Sequence, residues 1–179
     1  MTLTTAEPGP RGCLTDQEWQ QSNTTTTLPS WATLTADDAA WGESRSREQG
    51  ETIKINIGKD PRPWVEPTVQ SLKKLLDLPP DWDSYGGSPI DPTCVYAALI
   101  LVSGILPDNA PAPSVVPTSR GGLQLEWHTR GVDLEVEFLS STRVCGLFED
   151  VIAGTSWEKD LSFDLRPLVD AISTLSQRR

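Results

Sequence analysis

Residues 123–139 read LQLEWHTRGVDLEVEFL, and the fold turns on how this stretch is read. Leu123, Leu125 and Trp127 alternate with Gln124, Glu126 and His128. After a break, Val132, Leu134, Val136 and Phe138 alternate with Asp133, Glu135 and Glu137. A period of two sends successive side chains to opposite faces of a strand, so each segment is predicted to be a half-buried β-strand. Thr129-Arg130-Gly131 is the natural turn between them. The two apolar sets share a face only if that turn keeps register parity, because a one-residue slip moves every side chain across. The expectation is an antiparallel hairpin, apolar toward a core and acidic on the other side.

Working outward, Val144–Phe148 is predicted as the next strand, after a turn at Ser140–Thr142, and Val115-Val116 as a short strand ending at Pro117. Upstream, Thr52–Ile57 alternates and stops at Gly58, another strand signal. Helical spacing falls at Val65, Val69, Leu72 and Leu76, with a stop before Pro79-Pro80. A second helix is expected over Pro92–Leu106, with Asp91 as N-cap, and a third over Leu165–Ser176. The fold class that follows is α+β, over residues 51–179. It comprises an antiparallel β-meander of about four to five strands with two to three helices on one face.

Residues 1–50 differ in character. They are rich in Thr, Ser, Glu and Gln and carry almost no aliphatic periodicity, so they are expected to form a largely disordered tail. Trp19, Trp31 and Trp41 are unusual in such a segment. Either they pack back onto the domain or they anchor a partner, a role exposed Trp often takes. Trp31 and Trp41 are the candidate anchors. A short helix from Thr35 through Trp41, with Asp37 and Asp38 in its first turn, is also expected.

The chain has a formal net charge of −10, with 37% apolar and 22% charged residues. Nucleic-acid binding draws on clustered Lys and Arg, and none are clustered here, so direct binding is not expected. A basic protein partner suits the charge. Cys13, Cys94 and Cys145 have no short spacing, which predicts free thiols and a reducing, cytoplasmic setting. No basic segment followed by an apolar run marks a signal peptide, and the apolar stretch Val95–Leu106 is too short to span a bilayer.

Candidate chemistry is sparse. Asp81-x-Asp83 could ligate a divalent cation, but it follows Leu-Pro-Pro rather than a strand. As a calcium loop it would place Tyr85 at the fifth position and Pro92 at the twelfth. Capping of turns by both Asp residues, packing of Trp82 and Tyr85, and positive φ at Gly86-Gly87 is the competing expectation. His128, the sole histidine, lacks a nucleophile motif nearby, and no second His exists for a multi-histidine metal site. Gly121-Gly122 precedes a strand, not a helix, and reads as a β-turn. Glu126, Glu135 and Glu137, with Asp133, would form a solvated acidic face that suits docking of a basic partner better than acid–base catalysis.

The stretch LPPDWDSYGGSP (78–89), VPTSRGGLQLEW (116–127) and DLEVE (133–137) resembles a family of small, functionally uncharacterised bacterial proteins. These carry a Trp-Asp-Ser-Tyr-Gly turn, a Pro-Thr…Gly-Gly-x-Gln-Leu-Glu-Trp strand and an acidic alternating strand. The resemblance spans roughly Leu72 to Asp150 and leaves the tail outside it. It implies an accessory role in mobile elements, toxin–antitoxin or defence loci, supplies no catalytic residues, and treats the turn and hairpin as one structural unit. The expectation overall is a non-enzymatic, cofactor-free binding protein, antitoxin-like or immunity-like, acting through the acidic face and the Trp-bearing tail. The alternatives are a small metal-dependent hydrolase using Asp81 and Asp83, or a subunit of a larger assembly.

Overall fold

The computed structural model describes residues 32–35, 54–57 and 62–178. Strands β1 (Ala32–Thr35) and β2 (Lys54–Ile57) pair antiparallel as a separate two-stranded sheet. β2 falls within the predicted strand. β1 lies within residues 1–50, with Thr35 as its last residue. The helix expected after Thr35, and Trp19, Trp31 and Trp41, lie outside the described residues.

Helix α1 (Val65–Leu76) and helix α2 (Pro92–Ile105) follow. α2 starts where Asp91 accepts from the Thr93 amide at 2.8 Å, with proline in the first turn, where its missing N–H costs nothing. The main sheet comes next: β3 (Ser114–Pro117), β4 (Leu123–Thr129), β5 (Val132–Phe138), β6 (Val144–Asp150) and β7 (Thr155–Asp160), all antiparallel and in chain order. Helix α3 (Arg166–Gln177) completes the chain.

The predicted hairpin forms with the parity it requires. Thr129 pairs with Val132, and Leu125 with Val136. The intervening residues both take positive φ, 60° at Arg130 and 72° at Gly131. That is the twist-compatible turn of a two-residue hairpin, although Arg130 occupies a position that favours Asn or Gly. Its guanidinium donates to the Leu175 carbonyl at 2.9 Å, which ties the turn to α3.

One face of the sheet makes the core. Leu123, Leu125, Leu134, Val136 and Phe138 are buried in one cluster with Val69 and Leu72 of α1, Val95 and Val102 of α2, and Leu168, Ile172 and Leu175 of α3. Two tryptophans brace this core against the proline-rich connection. The Trp64 indole donates to the Pro107 carbonyl at 3.0 Å, and the Trp127 indole to that of Pro111 at 2.9 Å. Both rings are thereby buried with their one donor satisfied. At Gly146 a side chain would collide with Leu161, 2.5 Å from an added Cβ, so glycine lets Leu161 and Trp157 close over the inner face.

The far end of α3 is clamped to the sheet. Arg178 holds the buried Asp150 through two hydrogen bonds, 2.9 and 2.6 Å, and Asp150 also caps the Ile152 and Ala153 amides. The Arg178 bond, chiefly, holds the Asp150 carboxyl down to about 2. Among the cysteines, Cys94 is free and buried, its thiol pushed up to about 11 by burial and then by Asp91. Cys145 corrects the expectation of free thiols: it is disulfide-bonded. Among the described residues, no helix is long and apolar enough to cross a membrane.

Candidate functional site

Residues directly opposite each other in an antiparallel sheet share a face. The register therefore places Gln124, Glu126 and His128 of β4 beside Glu137, Glu135 and Asp133 of β5. Cys145, Leu147 and Glu149 of β6 come next, and Asp160, Glu158 and Ser156 of β7 complete the face away from the core. Each of strands β4 to β7 contributes at least one carboxylate to this face, with Cys145 and Leu147 of β6 interrupting two of the cross-strand rows. The sole basic side chain the strands contribute to this face is His128.

Two of the alignments set like charges directly across from one another: Glu126 against Glu135, and Asp133 against Glu149. Such pairs destabilise a sheet. Internal relief is partial. Gln124 donates to Glu135 at 2.8 Å. His128 lies between two acids, its Nδ1 3.1 Å from Asp133 and its Nε2 3.4 Å from Glu126. The bond to Asp133, then that to Glu126 and the charges of both acids, raise the His128 pKa above 6.5 against a smaller opposing effect of burial.

Exposure is graded across the face. Glu126, Glu135 and Glu137 are half-buried among their neighbours rather than fully solvated, whereas Glu149, Glu158 and Asp160 are exposed. The structure therefore brings together the three glutamates singled out from the sequence and adds Glu149, Glu158 and Asp160. These last were missed because β7 has no alternating apolar pattern, and Glu149 lies just past the predicted end of its strand.

The loop containing Asp81 and Asp83 is built differently from a metal site. Asp81 Oδ1 accepts from the Gly86 amide at 2.7 Å, and Asp83 Oδ1 accepts from Tyr85 at 2.9 Å and from Gly87 at 2.8 Å. The bonds from Tyr85 and then Gly87 lower the Asp83 pKa. Both carboxylates are engaged in holding the loop shut, and an added Cβ at Gly87 would strike the Asp83 carboxylate at 2.8 Å. Positive φ falls at Asp81, Ser84 and Gly86, not at Gly87. Tyr85 does not pack, being 95% exposed at the loop tip, while the Trp82 indole donates to the Ser88 carbonyl at 3.1 Å. The loop seats on the β3–β4 turn through Ser88 N to Ser119 O, 2.9 Å, and Asp91 N to Gly121 O, 2.7 Å. Gly121 has φ 86° and approaches the Pro89 carbonyl closely, so this seat requires glycine.

No group of three or more His, Cys, Asp or Glu side chains is placed to hold a metal ion among the described residues. Compared with known proteins, the chain matches no family model, no curated protein and no solved structure.

Proposed function

We propose that this protein is a non-enzymatic binding protein whose acidic outer sheet face docks a basic protein partner. The observation that carries the reading is the charge of that face, compensated only in part by Gln124 and His128, above all the like-charge alignments Glu126–Glu135 and Asp133–Glu149. A free protein gains nothing from opposed carboxylates on adjacent strands. A partner presenting Lys and Arg would relieve the repulsion and gain electrostatic steering from it. An antitoxin-like, immunity-like or accessory role in a defence or mobile-element locus is part of the proposal, and the motif resemblance supports it. A hydrolase built on Asp81 and Asp83 has less support, since both carboxylates already bind loop amides.

The test is affinity capture from the native host with the wild-type chain and with a variant carrying Glu126→Gln, Glu135→Gln and Glu137→Gln. A basic protein held by the wild type at low salt, released by added salt and lost from the variant supports the reading. Equal recovery by both chains counts against it. Salt-insensitive capture that disappears with Trp31→Ala or Trp41→Ala would move the contact to the N-terminal segment. A cytoplasmic site of action is tested by alkylating free thiols in fresh cell extract. Cytoplasmic protein should label at Cys145, whereas an intact disulfide there places the protein in an oxidising compartment.

A further inference from the structure

Strand β7 is the sheet's edge, with no strand on its outer side among the described residues. The Leu161 amide donates to Val144 at 2.8 Å, and Val144 lies opposite Leu161, one step beyond the Cys145–Asp160 pair. Hydrogen-bonded and non-bonded pairs alternate along an antiparallel ladder. Lys159, Trp157 and Thr155 therefore turn their main-chain groups toward β6, and Ser156, Glu158 and Asp160 turn theirs outward. The same three residues have their side chains on the acidic face. On the opposite face, Trp157 stacks on Phe148 with ring centroids 5.5 Å apart. Both border a groove of about 490 Å³ that Pro167, Ala171 and Thr174 line together with the charged Lys159, Asp164, Arg166 and Asp170.

We propose that β7 accepts an added antiparallel strand from the basic partner, a strand alternating basic and apolar side chains. Main-chain hydrogen bonds to Ser156, Glu158 and Asp160 would supply affinity, as in other cases of strand addition to a sheet edge. The residues directly across from Glu158 and Asp160 fall on the acidic face, where Lys or Arg is favoured. The residue across from Trp157, between the partners of Ser156 and Glu158, falls at the mouth of the groove, where an apolar side chain is favoured. Pairing of β7 with its counterpart in a second copy is disfavoured, because it would bring two acidic edges together.

This inference rests on the basic-partner reading, and its test separates the two. The probe is a capped peptide of alternating Lys and Val, long enough to span β7, added at low salt to isotope-labelled protein. Amide hydrogen exchange at Ser156, Glu158 and Asp160 is expected to slow on binding, while Trp157 and Lys159, already bonded to β6, stay unchanged. Glu158→Pro removes an outward N–H without breaking the ladder to β6. It should weaken the peptide by about tenfold or more relative to Glu158→Gln, which removes only the charge. If Glu158→Pro does not fold, the exchange pattern of the wild type decides alone. Salt-sensitive binding that leaves those three amides exchanging as before overturns the edge inference and leaves the acidic-face reading intact. No binding at low salt overturns both.

Discussion

Glu135 is where the repulsion within the sheet and the proposed contact meet. It faces Glu126 across the β4–β5 ladder and is partly compensated by Gln124. Glu135→Gln keeps an acceptor for Gln124 and removes the repulsion. It is expected to stabilise the domain by about 0.2–1 kcal/mol in urea unfolding, while weakening the basic partner. A loss of stability would show that the carboxylate serves the fold instead. His128 makes the opposite adjustment through pH. Its pKa is raised on folding, so its stabilising contribution is complete below about pH 6.5 and is lost as pH rises through the folded-state value. A proton NMR titration of the His128 ring should give a midpoint above 6.5, lowered by Asp133→Asn. Sequence made Glu126, Glu135 and Glu137 legible because the strand period is two. It could not show that Tyr85 points to solvent or that Asp81 and Ser84 take positive φ, since these follow from how the loop closes on itself.

At the scale of elements, the β4–β5 hairpin and the helices were legible because their apolar patterns are strong and their ends are marked by Asp91, Pro79 and Gly131. β7 was not, because an edge strand with a single large inner residue, Trp157, has too little apolar alternation to register. The clamp between Arg178 and Asp150 was also invisible, since it joins the last turn of the chain to a hairpin far away in sequence. The contribution of Asp150 is present above pH 3.8 and is lost as pH falls toward about 2. Arg178→Ala should therefore raise the Asp150 pKa and move acid unfolding to higher pH; an unchanged acid transition would remove the clamp from the account. In the core of the hairpin, Leu134 is fully buried, and Leu134→Ala should cost about 2–5 kcal/mol by the same unfolding measurement.

The whole molecule divides into two faces with different demands. The inner face joins five strands to three helices around one apolar cluster, and apart from the Asp150–Arg178 clamp at its end its requirements are those of packing. The outer face carries charge that packing does not need and that Gln124 and His128 neutralise only in part. That asymmetry is the central argument for a basic partner. Its most direct measurement is the affinity of the captured partner for the wild type and for the Glu126→Gln, Glu135→Gln, Glu137→Gln variant across a range of ionic strength. Wild-type binding should weaken steeply with salt, and the variant should bind more weakly with a shallower salt dependence, since Glu149, Glu158 and Asp160 remain on the face. Equal affinities with equal salt dependence would contradict the basic-partner reading.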